Sequence, residues 1–306
     1  MNTLLLSSPE KLARLRAELS RSAEHAKQVY LADLDDCGVK WKDGRYRCKA
    51  VGCPRCTRTI IGQQQRKAHA FFEQMVGRPT NSDMALLTVV GNGTRHLGEL
   101  RGNIEAMYKA ARYRVGCLSS VSRWSTFAAL GYYEVDAVGG EHLPLLGTER
   151  RALLPEIAPI SISQDGPTWI PSYHAIVHTG RLGIAEVQEE FSRTWPVPGQ
   201  VHVKRFQPVR SVEDNISKVV SYSLKNTCQI EIPTQMENGR WGKVYEPWPV
   251  SWQADYFTWL HQRRNGFEFL RFSISPASSR IIRDLPCHNV DNTVSSFEVE
   301  PMPILF

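Results

Sequence analysis

The spacing Cys37-x10-Cys48-x4-Cys53-x2-Cys56 constrains this chain more than any other stretch of it. Four thiolates so spaced supply the soft tetrahedral donor set of a closed zinc site, with Cys53-Pro-Arg-Cys56 as a two-ligand knuckle. The chain has 7 cysteines, and the other three, Cys117, Cys228 and Cys287, stand alone. An odd, uneven count argues against a disulfide scaffold and for one local Zn2+ cluster plus stray buried thiols, the alternative being a chance clustering of buried cysteines. Lys40, Lys42, Arg45, Arg47, Lys49, Arg55 and Arg58 surround the cluster, so the loop either presents cations to phosphates or is the solvated face of a structural knuckle.

Composition narrows the class. Lys plus Arg number 37 against 31 Asp plus Glu, and the net charge of +6 permits a polyanionic partner without being histone-like. The opening residues hold three consecutive leucines with no basic residue before them, which does not make a signal peptide, and no stretch reaches the ~18 apolar residues of a membrane span. The expectation is a soluble, cytoplasmic protein with no membrane association. At 306 residues it has room for a helical, zinc-binding segment over 1–80, a core over 81–227 and an extension over 228–306.

Periodicity predicts helices from Pro9 to about Val29, from Thr59 to Val76 and from Leu97 to Val115. Strands are predicted at Leu86 to Val90, Tyr132 to Val138, Tyr173 to His178 and Val201 to Phe206. Between them fall a helix from Ile184 to Trp195 and one capped by Ser211, whose Val212, Ile216, Val219, Val220 and Leu224 recur at helical intervals. Residues 139–168 show no period and read as a long inserted loop. A helix over Ala254 to Arg264 and a strand near Glu268 to Ile274 complete the pattern, which describes an α+β fold with helices on one face of a sheet.

Two further constellations carry chemistry. Lys218, Tyr222 and Lys225 form one helical stripe, in which two ammonium groups would favour the ionised phenol and hold a phosphodiester beside it; the plainer reading is a core-edge tyrosine between solvated lysines. Alternation puts Glu134 and Asp136 on one strand face and Ser172 with His174 on another, a donor set suited to Mg2+ or Mn2+. His178 shares the parity of His174 but lies about 13 Å along the strand, too far to bind the same ion.

The order of these pieces is more specific than any one of them. The cysteines, then Leu86-Leu-Thr-Val-Val90, Tyr133-Glu-Val-Asp136, Pro171-Ser-Tyr-His-Ala-Ile-Val177, Glu190-Phe-Ser-Arg-Thr-Trp195 and Val219-Val-Ser-Tyr-Ser-Leu-Lys225, together resemble the plasmid-type rolling-circle replication initiators, Rep proteins of the HUH endonuclease superfamily. The resemblance spans about residues 37–275. It implies an HUH-type ferredoxin-like antiparallel sheet and a metal-dependent nickase of single-stranded or cruciform origin DNA. Tyr222 would be the nucleophile that becomes linked to the 5′ phosphate and frees a 3′ hydroxyl, with Lys225 its companion. His174 and Glu134 would hold the catalytic Mg2+ or Mn2+, and a host helicase and polymerase would be partners.

Two positions depart from the family pattern. Its first histidine falls on Ser172, for which Asp136 is a candidate substitute, and the glutamate that some relatives carry four residues before the tyrosine is Lys218 here. Ser172 favours an alternative, a catalytically weakened HUH-fold DNA-binding or regulatory protein. A zinc-stabilised interaction protein would explain the cysteines alone. Trp241, Trp248, Trp252 and Trp259 could stack unpaired bases, although Trp252, Tyr256, Trp259 and Leu260 follow a helical core spacing that leaves Arg263 and Arg264 as the better phosphate contacts.

Overall fold

Burial along residues 84–90 shows how the central sheet is made: Ala85, Leu87 and Val89 are buried, whereas Leu86, Thr88 and Val90 are only half-buried. One face of the strand is packed and the other partly open. The computed structural model describes residues 9–41, 44–45, 47–160, 162, 165–224, 228–236, 239–263 and 268–275, with 40–41 and 44–45 as backbone only. Its helices are α1 (Pro9–Arg21), α2 (His25–Asp36), α3 (Pro54–Val76), α4 (Leu97–Leu118), α5 (Thr148–Ile157), α6 (Ile184–Ser192), α7 (Val212–Ser223) and α8 (Val250–His261). Its strands are β1 (Lys40–Trp41), β2 (Gly44–Arg45), β3 (Met84–Val90), β4 (Ala128–Val138), β5 (Thr168–His178), β6 (Val201–Arg205), β7 (Gln229–Gln235), β8 (Trp241–Pro247) and β9 (Arg271–Ile274).

The fold is α+β. Its main sheet has five antiparallel strands in the order β6-β3-β5-β4-β9. The crossovers β3–α4–β4 and β5–α6–β6 each straddle a strand of the other unit, which is a split βαβ arrangement. Register then assigns the faces, because directly opposed residues share one. Thr88 stands opposite both His174 and His202, Tyr132 opposite His174, and Glu134 opposite Ser172. All six lie on one face, and Tyr133 and Tyr173 lie on the other.

Helices cover both faces, not one as the element order suggested. On the Tyr173 side, Trp195 after α6 meets the Tyr173 ring at 5.9 Å, and Met107 of α4 fills the space a side chain at Gly91 would need. On the His174 side, α3 sets the Gln64 side chain 3.4 Å from the Tyr132 hydroxyl, and α7 brings Tyr222 to His174. The physical reason lies along the strands. One row of the His174 face is Leu86, Ile176 and Leu130, an apolar strip that needs a cover, while the rows toward Ser172, Glu134 and Asp136 are polar and stay partly open.

Three local readings also change. The first predicted helix is two, α1 and α2, and Gln28 of the second donates to the Leu19 and Ser22 carbonyls at the end of the first. The 139–168 segment is not all loop: Gly140–Leu145 forms a 3-10 turn, and α5 follows with Leu153, Leu154 and Ile157 buried. A helix of 10 residues with Pro155 inside it is too short to show a period. Beyond residue 228, β7 and β8 pair as a hairpin, α8 is tied to α2 through Lys27–Asp255 and His261–Asp33, and β9 extends the main sheet beside β4.

Candidate functional site

The partly open end of the His174 face forms a cleft of about 250 Å³, walled by α5, α7 and the β7–β8 hairpin. His174 is its best-held side chain. Its Nε2 lies 3.1 Å from the Glu134 carboxylate and 3.4 Å from the Ser172 hydroxyl, and its Nδ1 lies 3.1 Å from the Thr88 hydroxyl. A carboxylate only accepts, so in this arrangement Nε2 donates to Glu134, while Nδ1 shares a hydrogen bond with the Thr88 hydroxyl. Both His174 and Glu134 are 17% exposed, open enough on the cleft side to meet a ligand.

Tyr222 closes the cleft from α7. Ser211 caps this helix by accepting the Asp214 backbone N–H at 3.0 Å, and Gln65 of α3 donates to the Ser221 hydroxyl at 2.9 Å. The helix is therefore held at its start and along one flank. The Tyr222 ring meets the His174 ring edge-on at 6.1 Å. Tyr222 is 56% exposed, yet the cleft desolvates its phenol enough to raise it above the ordinary tyrosine range, with Glu134 and Asp136 adding to the shift. This corrects the expectation that flanking lysines favour its ionised form: desolvation and the carboxylates across the cleft prevail. Lys218 is exposed one turn earlier and does not line the cleft, and Lys225 lies outside the described residues.

Asp136 faces the same cleft but not the His174 imidazole. Its carboxylate pairs with Arg150 of α5 at 2.9 Å. Burial raises its pKa, the Arg150 guanidinium lowers it and Glu134 raises it again, with a net upward shift. The strong donors gathered around His174 are thus Glu134 and the imidazole itself, with the Ser172 hydroxyl third. His178 is a satisfied histidine, its Nδ1 2.8 Å from the Thr126 carbonyl.

Several cleft residues escaped sequence reasoning. Arg150, Thr88, His202, Glu231 and Tyr245 all line it. Arg150 sits in the segment read as a loop, His202 is a lone exposed histidine two strands away from His174, and the hairpin residues belong to a stretch assigned no strand. The alternation of Ile230 and Ile232 with polar neighbours was the available signal for β7.

The second site is the four-cysteine cluster. Among the described residues it is the group of three or more potential ligands that a metal could bridge, with all ligand atoms within 4.8 Å of one another. Cys37 follows the last turn of α2, Cys53 precedes the first turn of α3 and Cys56 lies within that turn. Between Cys48 and Cys53 the chain turns back through positive φ at Lys49 and Gly52. Sγ separations are 3.6 Å for Cys37–Cys56, 3.7 Å for Cys48–Cys56 and 3.5 Å for Cys53–Cys37. Sulfurs about 2.3 Å from one tetrahedral centre stand about 3.8 Å apart, so the donor set fits a metal ion such as zinc.

Within the cluster Cys53 is favoured as the thiolate, while Cys48 and Cys56 are shifted upward. Cys53 is lowered to about 5 by the hydrogen bond to Cys48 and by backbone N–H groups of α3, and burial pushes Cys56 up to about 11. Arg55 donates to the Cys37 carbonyl at 2.7 Å, and Tyr30 donates to the Val51 carbonyl at 2.6 Å. Arg47, Lys49, Arg55 and Arg58 are exposed around it; Lys42 lies outside the described residues. Of the other cysteines, Cys228 is a buried free thiol as expected, Cys117 is half-buried and disulfide-bonded, which corrects the expectation of a stray thiol there, and Cys287 lies outside the described residues.

No described helix is long and apolar enough to cross a membrane. No protein-family model, curated protein or solved structure matches the chain.

Proposed function

We propose that the cleft nicks single-stranded DNA by transesterification on Tyr222, in the manner of an HUH replication initiator. The observation that carries this is the convergence of Tyr222 on His174 and its Glu134 partner across a split βαβ sheet. The Tyr222 oxygen attacks the scissile phosphorus and the bond to the 3′ oxygen breaks. The 5′ phosphate stays on Tyr222, and the phenol proton is balanced by the one gained by the 3′ hydroxyl. Glu134 and His174 suit Mg2+ or Mn2+, which when bound would polarise a non-bridging oxygen. His174 is held in orientation by Thr88 and Glu134, and Arg150 is the guanidinium nearest to hand for a phosphate.

On this reading the substrate is single-stranded or cruciform origin DNA, the freed 3′ hydroxyl serves a host polymerase with its helicase, and the zinc cluster is structural. Incubating the protein with Mn2+ and a single-stranded oligonucleotide pool should yield a denaturation-resistant adduct that is absent in Tyr222→Phe. No adduct in the wild type would remove the nickase reading. Ser172, which offers a hydroxyl where the family has an imidazole, favours a second reading, a weakened HUH-fold DNA-binding or regulatory protein; tight binding without an adduct would select it.

A further inference from the structure

The β7–β8 hairpin bears an aromatic face that the nicking chemistry does not use. Along β8, alternation puts Trp241, Lys243 and Tyr245 on one side, and Tyr245 is opposed by Glu231, with which it lines the cleft beside Tyr222. Trp241 is 74% exposed and Tyr245 51%. Exposure is not the default for tryptophan in this region, since Trp248 and Trp259 are 3% and 5% exposed. The two aromatic side chains stand about 13 Å apart along the strand, room for two extended nucleotides. Lys243, 57% exposed and paired at 2.6 Å with Glu231, supplies a cation between them.

We propose that this face of the hairpin is a track for single-stranded DNA leading out of the cleft. The proposal rests on the nickase reading. Tyr245 and Trp241 each stack on an unpaired base, and Lys243 meets the intervening phosphates. Three features favour this occupant over a protein. The aromatic surface is continuous with the cleft, the residue between its two rings on that side of β8 is the cation Lys243, and each ring presents a π face that duplex bases, already stacked, cannot use.

The test is fluorescence anisotropy with a labelled single strand of mixed sequence and its duplex, using the full chain, Trp241→Ala, Tyr245→Ala and Trp241→Phe. Each alanine variant should bind the single strand about 5- to 150-fold more weakly, with duplex binding unchanged, and phenylalanine should restore most of the loss because it keeps a stacking face. Equal single-strand affinity in wild type and alanine variants would overturn the track, as would no single-strand binding at all. Self-association of the wild type that disappears in Trp241→Ala, seen by sedimentation, would make the face a contact between copies and overturn it too. The Tyr222 adduct, measured separately, keeps the readings distinct: an adduct with aromatic-independent binding rejects the track alone, and aromatic-dependent binding without an adduct rejects nicking alone.

Discussion

The imidazole of His174 meets the phenol ring of Tyr222 edge-on, with ring centroids 6.1 Å apart and planes at 83°. The imidazole cannot turn freely, because Thr88 and Glu134 hold its two nitrogens. A β5 side chain held on two sides thus stands directly beside the α7 tyrosine.

Glu134→Gln keeps an acceptor for the His174 N–H but removes the charge. Adduct formation should then need more Mn2+, and His174→Ala should lower its rate about a hundredfold or more. A titration of adduct yield against Mn2+ in both variants checks this, and an unchanged midpoint in Glu134→Gln would count against Glu134 as a ligand.

Adduct lifetime is a separate matter. Lys218 stands one turn before Tyr222, at the position where the resemblance to replication initiators implies a glutamate that activates water. The wild-type adduct should persist and pass its strand to an added 3′ hydroxyl, while Lys218→Glu should shorten its life. Following the adduct after removal of excess DNA measures both.

Metal analysis should find one zinc per chain in protein prepared without chelator. Cys53→Ser removes a sulfur at the start of α3, so it should lose the metal and lower the unfolding midpoint by about 5 °C or more, at about 2–4 °C per kcal/mol. Tyr222 adduct yield should fall with it, because α3 braces α7 through Gln65 and His69.

Gly38 has φ +95°, and the Arg55 guanidinium lies where its Cβ would go. Gly38→Ala should therefore cost about 1–3 kcal/mol and speed zinc release to a chelator. In an Arg55→Ala background the added cost should shrink to the backbone part alone, which denaturant titration of the double variant can measure.

Glu268 ties α3 to the β9 edge. Burial raises its carboxyl, but hydrogen bonds from Lys67 and Gln64 and the charge of Arg271 outweigh that and hold it below the ordinary value of 4.5. A lowered carboxyl stabilises the fold above its unfolded pKa and loses that contribution as pH falls through the folded one. Stability should decline below pH 4.5 in part for this reason, and Glu268→Gln should reduce the difference in stability between urea titrations at pH 3 and 7.

Much of this architecture is written locally. The cysteine spacing named its own cluster because ligands that close a short loop need only local chain geometry. Alternation placed Glu134 and His174 on strands, and the Ser211 cap placed the helix that holds Tyr222. Periodicity failed where elements are short or interrupted: α5 holds a proline, and β7–β8 is a hairpin with one solvated side.

Residue types and their periods thus settled which positions are strand, helix or cysteine knuckle, since each depends on neighbours a few residues away. The sheet order β6-β3-β5-β4-β9 decided the rest. By laying β5 between β3 and β4 it gave His174 the Thr88 hydroxyl on one side and the Glu134 carboxylate on the other, and α5 beside the polar rows pairs Asp136 with Arg150. Those pairings join residues 14 to 86 positions apart, and no local period encodes contacts that exist only once burial of the apolar row has chosen the strand order.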